Sequence, residues 1–123
     1  MLYLFNTNII PSEAVVRVKK ISAEYAAHIA AGTELTSAIG HEATAVAMGM
    51  ILERSVTVNR IQAEPKPFDK AISLKLNGRL QEGVILDQAA MEEMGYTLYL
   101  LEFYPTDYVI APPSEYHTNS QYF

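Results

Sequence analysis

The stretch Ser37-Ala38-Ile39-Gly40-His41-Glu42-Ala43-Thr44 puts a glycine and a histidine where a helix begins, between a loop and the apolar run Ala45 to Leu52. A helix start carries unpaired N–H groups and the positive end of the helix dipole, so it holds phosphates well. A histidine at such a place can hand a proton to a leaving oxygen. Further along, Asn59-Arg60-Ile61 and Arg79-Leu80-Gln81-Glu82-Gly83 add two arginines and a carboxylate. These residue types together suit a phosphate ester held by arginines and cleaved with help from a histidine.

Each candidate also has a plainer reading. His41 can be a helix-start residue packed by its neighbours. His28 lies in a helix among Tyr25, Ala26 and Ile29 and reads as structural, and His117 lies in the tail. Arg60, by strand alternation, points away from Ile61 and toward solvent. Arg79 and Glu82 make either a surface ion pair of little worth or part of a lid hinged at Gly78 and Gly83. Asn6, at the end of a first strand, either caps a turn or offers its amide to a ribose hydroxyl or a phosphate.

The elements that must position these residues follow from patterning. Leu2 to Phe5 reads as a first strand and Ala14 to Ile21 as a second, with a turn at Pro11-Ser12-Glu13. Ser22 caps a helix over Ala23 to Ala31, closed by Gly32. Thr33 to Ile39 reads as a loop, and the next helix runs from about Gly40 to Leu52. Val56 to Ala63 is strand-like, a turn follows at Pro65 and Pro67, and Lys70 to Leu76 alternates cleanly, so the two are expected to pair as a hairpin. Asp87 caps a short helix, Gln88 to Met94, ended by Gly95. Tyr96 to Tyr104 is a last strand, apolar enough to be buried on both faces. The expected fold is α/β, a mixed central sheet of about five strands flanked by helices in a single compact domain over residues 1–104. The C-terminal tail, 105–123, holds three of the six prolines and reads as loosely ordered, though its tyrosines could dock onto the body.

Composition limits the function. The 123 residues suffice for one domain, and with half of them hydrophobic the chain should fold. The net charge of −5 argues against broad binding of long DNA or RNA but leaves room for a compact anion in a locally basic cleft. Cysteine is absent, so disulfides and thiolate metal sites are excluded, in keeping with a cytoplasmic protein. No secretory signal is visible, and the longest apolar run is too short to cross a bilayer. There is no P-loop, no dinucleotide fingerprint and no nucleophile elbow. No histidine–carboxylate cluster has metal spacing, which disfavours metal-assisted hydrolysis.

Taken in order, Leu2-Tyr3-Leu4 with Asn6, the Ser37 to Thr44 block, Val58-Asn59-Arg60-Ile61-Gln62, Asp69-Lys70-Ala71-Ile72, Arg79 to Gly83 and Tyr99 to Phe103 resemble the viral ring nuclease family of anti-CRISPR proteins. The resemblance covers residues 1–104. It implies a homodimer that binds cyclic tetra-adenylate, the second messenger of type III CRISPR defence. It further implies that the ring is cut to linear di-adenylates without metal or cofactor, in the cytoplasm (the host's, for a viral protein). On this resemblance His41 is the general acid and Glu82 a loop carboxylate needed for full activity. Asn6, Gly40, Thr44, Arg60 and Arg79 contact the ligand. Ala43, Ile9 and Lys75 depart from residues some members carry, which touches ligand contacts rather than the catalytic pair. Two other readings stay open: a sponge or sensor that captures a cyclic oligoadenylate uncut, and a small viral protein that contacts a host partner.

Overall fold

A computed structural model describes residues 1–9, 13–78 and 87–109. The elements are β1 (Leu2–Phe5), β2 (Val15–Ile21), α1 (Ala23–Ala30), β3 (Leu35–Ser37), α2 (Glu42–Leu52), β4 (Lys70–Leu76), α3 (Gln88–Met94) and β5 (Tyr96–Tyr104). The five strands form one mixed sheet in the order β2-β5-β4-β1-β3. β1 runs parallel to both of its neighbours, pairing Leu4 with Ser37 on one side and with Ile72 on the other. β5 is antiparallel to β4 and to the edge strand β2.

Every residue of β1 is buried. Its pleat sends Leu2 and Leu4 into a core shared with all three helices, and Tyr3 and Phe5 into a second cluster on the opposite face. The helix-side core is closed by Ala26 and Ala30 of α1, by Ala45, Ala47, Met48, Ile51 and Leu52 of α2, and by Met91 of α3. The helices therefore pack on one face. The other cluster comprises Tyr3, Phe5, Ala38, Ala63, Ala71, Leu101 and Phe103.

Local chemistry explains where the helices stop and start. The Ser22 hydroxyl accepts from the Tyr25 N–H at 3.1 Å, and the Asp87 carboxylate accepts from the Ala90 N–H at 2.7 Å. Gly95 ends α3 at φ +82°, a conformation that side chains avoid, and a Cβ there would stand 2.8 Å from the Asn77 amide nitrogen. Arg54, just past α2, donates from Nη1 to the carbonyls of Ala30 and Thr33, each at 2.6 Å. It thereby locks the end of α2 to the end of α1 and the turn after it.

Two expectations are corrected. Thr33 to Ile39 is not wholly loop: Leu35–Ser37 is a short parallel edge strand, too brief to show a period of its own. Val56 to Ala63 forms no strand, and the expected hairpin does not exist, because Lys70–Leu76 pairs with β1 and β5 instead. The clean alternation of β4 concealed this. Ala71 and Ser73 look like a solvent face, yet they are 0% and 2% exposed and sit in the middle of the sheet. The α2 helix begins at Glu42 rather than Gly40, with His41 as its cap.

At the end of the sheet away from the loops after β1 and β3, Tyr108 stacks on Tyr104 with ring centroids 4.3 Å apart, and Phe68 meets both edge-on. The start of the tail is thus docked on the body, and residues 110–123 lie outside the described residues. No helix among the described residues is long and apolar enough to cross a membrane.

Candidate functional site

Open α/β sheets bind ligands beyond the carboxyl ends of their parallel strands. Here β1 is followed by Asn6, and β3 leads through Ala38, Ile39 and Gly40 into α2. Between them lies a cleft of about 600 Å³ lined by Asn6, Ala38, Gly40, His41, Arg60, Ile61 and Gln62. That volume falls in the usual range for a small-molecule site.

A hydrogen-bonded splice holds the cleft together. The Ser37 hydroxyl donates to the Thr57 carbonyl at 2.6 Å. Asn59 binds the same loop twice, its backbone N–H donating to the Ile39 carbonyl at 2.8 Å and its side-chain amide to the Ser37 carbonyl at 2.9 Å. Arg60 then donates from Nε to the Gly40 carbonyl at 3.0 Å. Its stem passes beside Gly40, where a Cβ on the glycine would make ordinary van der Waals contact with Arg60 Cγ at 3.5 Å. The guanidinium is fixed through Nε, and its fork of Nη donors suits a phosphate. Asn59→Ala is accordingly expected to cost about 1–3 kcal/mol, because a partly buried carbonyl loses its donor. Urea denaturation measures it, and an unchanged midpoint would remove the splice from the account.

His41 is the N-cap of α2, with φ −121° and ψ 130°, but its side chain makes no capping hydrogen bond. The imidazole is left exposed at the cleft rather than consumed by the helix. The first bond of the helix runs from the Ala45 N–H to the His41 carbonyl at 3.0 Å. The N–H groups of the turn before it have no side-chain cap and can serve an anion. Chemically, the arrangement offers donors and positive charge for a phosphate beside an imidazole able to exchange a proton.

Asn6, Gly40, His41 and Arg60 are thus brought together. Thr44 stands in the first turn of α2 but is 8% exposed and does not line the cleft. Arg79, Glu82 and the proposed hinge Gly83 lie outside the described residues. One expectation about Arg60 is corrected: it is not a strand residue facing away from Ile61. The Ile61 N–H donates back to the Asn59 carbonyl at 3.0 Å, a three-residue turn around Arg60. The turn breaks the alternation, so residues 60, 61 and 62 all line the cleft. Ser37 and Asn59 frame the cleft through partners about twenty positions away, beyond any local pattern.

Across Arg60 a second cavity of about 510 Å³ is walled largely by Ala45, Val46, Val56 and Val58, with Val46 and Val58 exposed. Outside the cleft, burial first and then the carboxylates of Asp69 and Glu64 hold the Tyr3 hydroxyl above the usual phenol range. Burial likewise raises Tyr104, helped by Glu102 and Tyr108 and opposed by Arg17. Both phenols stay neutral around pH 7.

The sequence matches the STIV B116-like family over residues 2–98. It is 36% identical over 107 residues to uncharacterized protein 26 of Sulfolobus islandicus filamentous virus (isolate Iceland/Hveragerdi), covering 83% of this chain and 91% of that protein. It is also 36% identical over 108 residues to uncharacterized protein ORF117 of Acidianus two-tailed virus, covering 83% and 92%. The fold superposes on B116 of Sulfolobus turreted icosahedral virus with a TM-score of 0.70, covering 82% of this chain and 97% of that one at 21% identity, a likeness of fold. The chain therefore belongs to the STIV B116-like family, a family of archaeal virus proteins.

Proposed function

We propose that this protein is a ring nuclease that opens cyclic tetra-adenylate to linear di-adenylates without a metal ion and so silences type III CRISPR signalling. The observation that carries the reading is the convergence of His41, Arg60, Gly40 and Asn6 in one cleft at the start of α2. In the proposed reaction a ribose 2′-hydroxyl gives up its proton to water and attacks its adjacent phosphorus, the P–O5′ bond breaks, and the 5′-oxygen takes a proton. The products carry a 2′,3′-cyclic phosphate and a free 5′-hydroxyl. His41 supplies that proton. The Arg60 guanidinium and the open N–H groups of α2 stabilise the charge that builds on the phosphate. Arg79 and Glu82 enter through the family resemblance, as a ligand contact and a loop carboxylate.

A ring of four nucleotides is large for a single such cleft, and two clefts related by a two-fold axis would each serve one of two opposite phosphates. The exposed Val46 and Val58 beside the cleft supply apolar surface for a second protomer. The dimer belongs to the proposal.

The test is direct: incubate the protein with cyclic tetra-adenylate in EDTA and follow the products by chromatography and mass. Linear di-adenylate with cyclic phosphate ends is the expected result. An intact ring that co-elutes with the protein would replace the enzyme with a sponge, and an intact ring that does not bind would discard the ligand as well.

A further inference from the structure

We infer that Ile61 and Gln62 are the base-reading subsite of the cleft, with Ile61 against the face of an adenine and the Gln62 carboxamide on its N6/N7 edge. This deepens the ring nuclease reading and rests on it. Three observations point there. First, the turn at Asn59 and Ile61 breaks the chain's alternation, so that Ile61 and Gln62 both line the cleft beside Arg60. Second, Ile61 is 42% exposed and belongs to neither apolar cluster, so packing among the described residues does not account for a branched apolar side chain in a cleft otherwise lined by the small residues Ala38 and Gly40 and by Asn6, His41, Arg60 and Gln62. Third, Arg60 is anchored through Nε with its fork free of that bond. In a nucleotide the base is joined to the phosphate through one ribose, so the residues next to a phosphate-holding arginine are where a base falls.

The chemistry selects the base. A carboxamide presents one donor and one acceptor side by side, matching the N7 acceptor and N6 donor of adenine. Guanine and hypoxanthine put an oxygen at position 6 and so present two acceptors there, of which a carboxamide satisfies one. Unstacked bases of single strands are read in this manner, by contact on the face and hydrogen bonds on the edge.

The experiment compares kcat/KM for cyclic tetra-adenylate and cyclic tetra-inosinate with the full chain and with Gln62→Ala, Gln62→Glu, Ile61→Ala and Asn6→Ala. The parent is expected to favour the adenylate ring by about 5- to 150-fold, the span of one good bidentate base contact. Gln62→Ala should lose most of that preference through KM on the adenylate ring, with kcat at saturation kept. Gln62→Glu, which keeps the shape but not the donor, should lose it too. Ile61→Ala should weaken both rings alike, since a face contact does not read position 6. Both residues are exposed and outside the apolar clusters, so thermal midpoints should stay close to the parent's. A parent indifferent to the two rings, a Gln62→Ala variant as selective as the parent, or a preference that moves with Asn6→Ala instead would each overturn the assignment while ring opening stands. If the parent neither binds nor opens the adenylate ring, the ring nuclease reading falls first and takes this subsite with it.

Discussion

His41→Asn is expected to open the ring about 10²–10⁴-fold more slowly while raising the stability of the fold by about 1 kcal/mol. The two effects share one position. His41 already has the extended backbone of an N-cap, but its ring makes no capping bond, so α2 starts with its first N–H groups unserved. Asparagine is among the best caps because its amide oxygen reaches those groups, here of Ala43 or Thr44. It has no proton to lend to a leaving oxygen near neutral pH. On the proposed reaction, histidine at this position costs stability and supplies chemistry, the trade expected where a functional residue occupies a structural post. His41→Ala separates the parts further. It should be as slow as His41→Asn without the gain in stability. It should also bind the ring with near-parent affinity, because the helix N–H groups and Arg60 remain open to the phosphate. Single-turnover rates at saturating ring and urea midpoints provide both readouts. A rate equal to the parent's in either variant would remove the general acid role. A loss of rate matched by a loss of stability would assign His41 to folding instead.

Local features of the fold were legible because their causes lie within a few residues. Ser22, Asp87 and Gly95 mark helix ends by capping chemistry that spans three or four positions. The burial of β5 on both faces is visible in its nearly unbroken apolar run, and Leu98, Leu100, Leu101 and Phe103 are all at or below 2% exposure. What alternation cannot supply is the identity of a strand's neighbour. Val56 to Ala63 has the composition of a strand, yet Thr57 and Asn59 spend backbone groups on the loop after β3 rather than on a ladder. Ala71 and Ser73 mimic a polar face because small residues fill a shallow second core as well as they face water. In the cleft, His41 and Gly40 were readable as a helix start. The placing of Arg60 depends on a bond from Nε to a carbonyl twenty residues earlier, which no spacing rule reports.

Phe5→Ala should cost about 3–5 kcal/mol, at the upper end of that range. A domain of this size has only about 5–15 kcal/mol in all, so the variant should stand close to unfolding at ordinary temperature. Phe5 is 0% exposed and sits at the end of a strand paired on both sides. Its ring lies 5.7 Å from that of Tyr3 in a cluster that includes Ala38, Ala63 and Ala71. Alanines have no side-chain freedom with which to collapse into a void, so most of the lost volume should persist as cavity. The helix-side core is built differently. It includes Met48 and Met91, whose unbranched chains adapt to gaps, so Leu100→Ala there should lose less than Phe5→Ala. Phe5→Leu should fall between Phe5→Ala and the parent. Urea titration of the three variants ranks them, and a Phe5→Ala cost below that of Leu100→Ala would show that the helix-free face is the more plastic one. The consequence reaches the site, because Phe5 precedes Asn6 and shares its cluster with Ala38, both of which line the cleft. Loosening that cluster removes the footing of the wall that carries Asn6 and Ala38, so the surviving folded fraction of Phe5→Ala should bind the ring more weakly than its folded population alone accounts for.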